Sequence, residues 1–399
     1  MQRAGLLVAR DVDIQIDELT IEGSGLLTAR NLNGNSFTLG NEAEATIRSA
    51  DYKRILIGNS SRIDFSGGIT ADNVIVEGIL LARDPGEDSA ANDLILSPSI
   101  GNLTVRAGGM ATFQSNGNGR NVKIDNLNVD AGGLFNLSDS FSSIAEYKIG
   151  NINANGSVNF NERSRSAPAA IQLLNSETLV VGNEAVVDLG EVSASFDNIT
   201  LSGMLDSDRR LAIRKSLTVQ QGARLSTDVL VAETISDAPV VLINEGGSID
   251  ANAFENELAI DGFVIRGFGE FDILGGAQVA SLQLGDGSGR RGNWEQRGDL
   301  TIAGDLQTSR GSNFIIRQGI GATHGDMKGN MLVRGNASFD DMVSISGIAN
   351  IRGNLSSTAG RQGAFGALQI AGNAFFDADL LSEMISRSAK ICSNPPARE

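Results

Sequence analysis

One short phrase recurs along almost the whole chain: two or three alternating apolar residues, a break at Gly or Asn, then a second apolar alternation. It reads LTIEGSGLLTA from Leu19, FTLGNEAEATI from Phe37, ILIGNSSRIDF from Ile55, LTVRAGGMATF from Leu103, LNVDAGGLFNL from Leu127, LTVQQGARLST from Leu217 and LQIAGNAFFDA from Leu368. Period-two alternation describes short strands with one buried face, and helical i, i+3, i+4 spacing is almost absent from these segments. Leu19, Phe37, Ile55 and Val74 lie 18, 18 and 19 residues apart, a spacing that belongs to solenoid repeats. A strand pair this short cannot bury its own apolar face, so each rung needs a neighbour above and below it.

The expected fold is therefore all-β: a right-handed parallel β-helix, a single-stranded solenoid with rungs of about 18–24 residues, forming a long thin rod. Glycine, Asn and Asp at the breaks permit the left-handed backbone that corners require, which suits a chain with 48 glycines and 6 prolines. Hydrophobic residues make up 41% and aromatics 5%, so the core is expected to be aliphatic. No Pro/Ser linker interrupts the phrase, and residues 1–378 read as one elongated array with loop insertions. Asp379 to Ala389 carries Leu380, Leu381, Met384 and Ile385 on one helical face behind an acidic start, so residues 379–391 are expected to form a capping helix over the open end. Residues 392–399, opening with the single cysteine Cys392 and running into Pro395-Pro396, are expected to be a disordered tail.

A formal net charge of −16 argues against nucleic-acid or anionic-membrane partners, which need a basic face. No apolar run approaches the ~20 residues of a membrane helix. Leu6-Leu7-Val8-Ala9 is broken at once by Arg10, Asp11 and Asp13, so the opening reads as part of a rung, and any export signal is expected to lie outside this sequence.

Chemistry-bearing residues gather where rungs lengthen. Asp84, Glu87, Asp88 and Asp93 collect carboxylates that would supply oxygen ligands to Ca²⁺, the one cofactor considered, though without the spacing of a defined calcium loop. Ser138 to Tyr147 and Asn161 to Ala170 are further insertions with no chemistry attached. The Gly285 to Trp294 segment places Arg290, Arg291 and the only tryptophan, Trp294, on an expected exposed loop, and Gln318 to Gly329 holds the only histidine, His324, beside Asp326. Such a set would contact a sugar or a protein. Catalytic signatures are poor. Gly287-x-Gly289-x-x-Gly292 has the form of a dinucleotide fingerprint, but Trp294 to Ala303 does not read as the helix it needs. A carboxylate pair such as Asp340-Asp341 is the remaining acid–base option.

The glycine-punctuated phrases resemble the repeats of bacterial autotransporter and filamentous-haemagglutinin passengers, a likeness that implies surface display and adhesion. Gly329-Asn330-Met331-Leu332-Val333-Arg334-Gly335-Asn336 and Ile348 to Leu355, IANIRGNL, look like bactofilins, which would imply a cytoplasmic self-assembling scaffold. Pectin-degrading β-helices supply a third comparison: Thr323-His324-Gly325 precedes Asp340-Asp341 and no Arg-x-Lys comes after them, so the polygalacturonase pattern fails, while likeness to pectate lyases, with Ca²⁺ carboxylates and an Arg base, would imply a polysaccharide-active enzyme as the second alternative. The expected function is a non-enzymatic bacterial structural or adhesin-like rod, extracellular or on the cell surface, whose loops bind a protein or glycan and which has scope for self-association.

Overall fold

The computed structural model describes residues 6–83, 98–115, 121–139, 146–160, 173–233, 237–257, 262–286, 288–317, 330–339, 343–357, 363–376 and 391–393. Among them every element is a β-strand, and the paired strands run parallel, making an all-β parallel solenoid. Two compact units divide the chain: Met1–Phe196 with Gly203–Arg209, and Asp197–Ser202 with Arg210–Glu399.

In the first unit, strand Leu26–Leu39 pairs along its length with Glu44–Ile57, from Leu26↔Glu44 to Leu39↔Ile57. That strand in turn carries Arg62–Phe65 and Ile69–Val76. Alternation decides which side chains go in: Ile55 and Ile57 are fully buried while Leu56 between them is only half so. Rung length varies more than the sequence suggests. Glu44↔Arg62 and Arg62↔Ile79 are steps of 18 and 17 residues, whereas Ile79↔Met110 is 31 and Ser157↔Val186 is 29. The second unit repeats the scheme, with Arg224↔Ser248 a step of 24, Asn293↔Asn313 of 20 and Phe314↔Val343 of 29.

Two kinds of corner make the stacking possible. At the first, a four-residue turn closes with a bond from the fourth N–H to the first carbonyl, as in Gly109 to Arg106 (2.9 Å) and Ala223 to Gln220 (3.1 Å). Its third residue has positive φ, +76° at both Gly108 and Gly222, as a type II turn requires. Glu42, Ser60 and Glu184 hold the same position with φ of 66°, 57° and 63°, a conformation that costs a residue with a Cβ. The fourth residue points inward and is small, as Ala43, Ser61, Ala185 and Ala223 show.

The second corner is the Gly-Asn pair of the second unit. Asn336 donates its backbone N–H to Asp305 Oδ1 (2.7 Å), Asn354 to Asn336 Oδ1 (2.9 Å), and Asn373 to Asn354 Oδ1 (2.9 Å). The preceding glycine lets rungs approach this closely: a Cβ on Gly353 would lie 2.4 Å from the Gly335 carbonyl oxygen. Sequence, corner and ladder are thus one device, repeated once per rung.

The core is aliphatic as expected, but its few aromatics gather in chains of ring contacts, within which Phe271, Trp294 and Phe314 share one register column. Phe113, Phe135 and Phe160 follow one another with ring centroids 5.8 and 6.2 Å apart. In the second unit Phe271, Trp294, Phe314 and Phe339 follow at 5.1, 6.5 and 5.8 Å. Among the described residues of the first unit one buried side-chain polar atom lacks a partner: Tyr52 is 1% exposed and its hydroxyl makes no hydrogen bond.

The expected capping helix lies outside the described residues apart from its last residue, Ile391, which is in a strand. Strand Ile391–Ser393 pairs with Gly363–Ile370 through Leu368↔Ile391 and Gln369↔Cys392. Cys392 and Ser393 are thus in a strand, and the rest of the expected tail, 394–399, lies outside the described residues.

Candidate functional site

The segment from Gly285 to Arg297 is the best described of the regions singled out by sequence, and its two halves have different fates. The glycine-rich half is folded upon itself. Asp286 accepts bonds from Ser288 Oγ (2.6 Å), Ser288 N–H (2.9 Å) and Arg290 Nε (2.7 Å), and the guanidinium carbon of Arg290 stands 4.1 Å from the Phe268 ring centroid. The Ser288 bonds, with Arg290 alongside, hold the Asp286 carboxyl at about 2. Arg291 is exposed and lies along Gly311, where an added Cβ would come 2.7 Å from its Nε. Gly292 donates its N–H to buried Ser312 Oγ (3.1 Å), which clips this segment to the next rung.

The other half is a strand, Asn293–Arg297, in place of the helix a dinucleotide fingerprint needs. Trp294 is 0% exposed, so the expected exposed loop contact is corrected: its register with Phe271 and Phe314 puts the indole in the aromatic column, and it offers no surface to a ligand. Beside it lies a residue that the sequence pattern does not flag. Gln296 is also fully buried, in a column otherwise held by Ile273 and Ile316. Its Oε1 accepts the Trp294 indole N–H (3.1 Å), and its Nε2 donates to the carbonyls of Gly275 (3.1 Å) and Asp299 (2.9 Å). Every polar atom of this inner cluster is satisfied, which is the condition for keeping an amide in a core.

Three carboxylates of the second unit line up on successive rungs. Asp250, Asp272 and Glu295 occupy one outward column on consecutive rungs. Partial desolvation, reinforced by Asp250 and Glu295, outweighs the pull of Arg297 and raises the Asp272 carboxyl above its ordinary value. Carboxylates one rung apart, ~4.8 Å, can share a proton. Asp250, however, is tied to Arg224 at 2.7 Å, which draws it into a surface ion pair.

In the first unit the polar groups are ordered by asparagine. Asn102 Nδ2 donates to Asn73 Oδ1 (3.1 Å), Asn126 to Asn102 (3.0 Å) and Asn151 to Asn126 (2.9 Å), and Thr178 Oγ1 donates to Asn151 Oδ1 (2.7 Å). All four bonds point the same way. A shorter ladder joins Asn159 to Asn136 (3.0 Å) and Asn136 to Thr112 (3.4 Å). The signal for the longer one is legible in retrospect: Asp72-Asn73-Val74, Gly101-Asn102-Leu103, Asp125-Asn126-Leu127 and Gly150-Asn151-Ile152 place Asn directly after a bend in each rung.

The proposed calcium carboxylates Asp84, Glu87, Asp88 and Asp93, the candidates His324 and Asp326, and the pair Asp340-Asp341 lie outside the described residues. Among the described residues no group of three or more His, Cys, Asp or Glu side chains is placed to hold a metal ion, and no helix is long and apolar enough to cross a membrane.

These features define the class of the molecule, a parallel β-solenoid with hydrogen-bonded polar ladders. No protein-family model, curated protein or solved structure matches the chain. The likeness to autotransporter passengers and to bactofilins accordingly rests on the sequence phrases alone.

Proposed function

We propose that the protein is a non-enzymatic solenoid scaffold of the bacterial surface or secreted type, which carries loops and strand faces for adhesive contact with a protein or glycan. The observation that carries this reading is the register across its longest steps. Leu80 pairs with Ala111 and Val158 with Val187 although 31 and 29 residues separate them, and the ladder continues beyond each without a shift. A scaffold that absorbs insertions while keeping its register is what loop display requires. The hydrogen bonds of the Gly285 to Arg297 segment support the same reading, because those of Asp286, Arg290, Gly292, Trp294 and Gln296 run within the segment or to adjoining backbone and rungs and do not converge on a reacting position.

The test replaces residues 84–97 or 318–329 by a short Gly-Ser turn and measures binding of the full chain to arrayed glycans and immobilised cell-surface proteins. Binding that is lost in a replaced chain with unchanged thermal unfolding supports display. Binding by neither chain, or release of reducing or unsaturated sugar ends from a polysaccharide, overturns it. A scattering series over concentration runs beside it: filaments that lengthen with concentration would move the reading to a cytoplasmic, polymer-forming scaffold.

A further inference from the structure

The asparagine ladder has a neighbour that the fold does not explain. Across strands Ser99–Val105, Asn121–Val129, Glu146–Ala154 and Leu173–Val181, two outward columns run side by side. The corner column is Asn102, Asn126, Asn151 and Thr178, whose bonds to one another brace the bend. The second column, two residues further along each strand, is Thr104, Asn128, Asn153 and Val180. Asn128 and Asn153 make no side-chain hydrogen bond among the described residues, and Asn153 is exposed.

Asn is depleted in strands, where β-branched side chains fit better. This same column holds Ile75 before Thr104 and Val180 after Asn153, so the ladder accepts such residues at this place. Amides on two successive rungs therefore work against local preference and, among the described residues, make no side-chain hydrogen bond that would offset it. Neither column contains an ionisable residue over these four strands, in a chain of net charge −16. Nearby Lys123 is paired with Asp125 at 3.6 Å.

We infer that this amide face docks a neutral, extended polysaccharide lying along the ladder, one sugar per rung. The inference rests on the display role proposed above and assigns it a surface and a ligand class. Each amide offers a donor and an acceptor together, which is what a sugar hydroxyl needs. The rung spacing of ~4.8 Å is close to the advance per sugar of an extended β-1,4-linked chain. The face lacks the charge that would draw phosphates and the Trp, Tyr or Arg anchor that protein partners favour, its exposed apolar side chain being Val180.

The experiment is calorimetric titration of the full chain with hexamers and trimers of β-1,4-linked glucose, mannose and N-acetylglucosamine, beside the double variant Asn128→Val/Asn153→Val. Val already occupies position 180 of the column, so the variant should melt at or above the parent temperature. At least one hexamer should bind, its trimer more weakly, and the double variant about tenfold more weakly or worse, since two rungs lose their amide contacts. Binding of no hexamer, or equal binding by the variant, overturns the inference. Binding that the variant keeps but a loop-replaced chain loses would leave display standing and remove this face from it. A concentration-dependent dimer that the variant abolishes would assign the face to a second copy, which also overturns it.

Discussion

Residues 99–181 and 293–373 solve the same stacking problem with polar groups in opposite places. In the first stretch Phe113, Phe135 and Phe160 pack together in the core, and the amides stand outside it, those of the corner column bonded to the side chain of the rung before. In the second an amide, Gln296, sits inside the core, and the corner asparagines bond not to one another's side chains but to the backbone of the next rung. Rung-to-rung spacing is common to both, so what differs is which group each amide satisfies. An amide that completes backbone or core hydrogen bonding is tied to the fold, whereas one that bonds only to its neighbours leaves valences for something else.

The sharpest way to break the comparison is Gln296→Leu. A leucine would suit a column of Ile273 and Ile316 by volume, yet it would leave the Trp294 indole N–H and the carbonyls of Gly275 and Asp299 without their partner. A loss of about 3 kcal/mol is expected from the unpaired buried groups, read by urea unfolding of the full chain. An unchanged midpoint would mean that the amide is as dispensable as an outward one. Next comes the contrast between the two ladders. Asn354→Ala removes the acceptor for the Asn373 N–H and should cost about 1 kcal/mol. Asn126→Ala breaks side-chain bonds that solvent can replace and should cost about half as much. Equal losses would erase the distinction drawn between the two stretches.

The strands and turns were legible from sequence because both rest on local rules. Period-two alternation sorts Ile55 and Ile57 from Leu56, and Gly108 or Gly222 marks the turn residue that needs positive φ. The site was less legible, since it depends on what one rung places above another. Trp294 comes after a glycine-rich, arginine-bearing run and so looks exposed. The alternation Trp294-Glu295-Gln296, set beside Phe271-Asp272-Ile273 in the preceding rung, is the signal that would have turned it inward. Gln296 has no such signal, because a polar residue at an inward position contradicts the pattern until its three partners are known. Step length escaped as well: pairs 29 and 31 residues apart lie beyond the expected rung of 18–24, and no local rule fixes where a chain that leaves the ladder rejoins it.

A smaller effect separates turns that hold glycine from those that do not. Gly222→Ala places a Cβ in open space, so its cost, about 1 kcal/mol, would come from the backbone alone. The reverse change at the same turn position, Glu184→Gly, relieves a φ of 63° but frees the unfolded chain, and should stabilise by only about 0.5 kcal/mol. Thermal unfolding of the pair checks both signs. If Glu184→Gly destabilises, the glutamate side chain contributes more than its strained backbone removes.

The carboxylate column tests whether outward groups matter to folding at all. Asp272 has its carboxyl raised above the ordinary range, so between those two values the folded chain holds more of the proton than the unfolded chain does. Stability from this group is therefore fully present below the ordinary carboxylate value and is lost as pH rises through the raised one. At pH 7 the charged form is the disfavoured one, and Asp272→Asn should stabilise the protein there and lose that advantage in acid. Because Asp272 is exposed, solvent screening keeps the gain to a few tenths of a kcal/mol. Denaturant midpoints of parent and variant, measured from pH 3 to pH 7, should diverge as pH rises. A variant less stable than the parent at pH 7, with the difference vanishing in acid, would mean that the Arg297 attraction prevails over desolvation and the Asp250 and Glu295 repulsion. The column would then be an ion-pair network, like the one Arg224 makes with Asp250, and not a strip of mutually repelling charge.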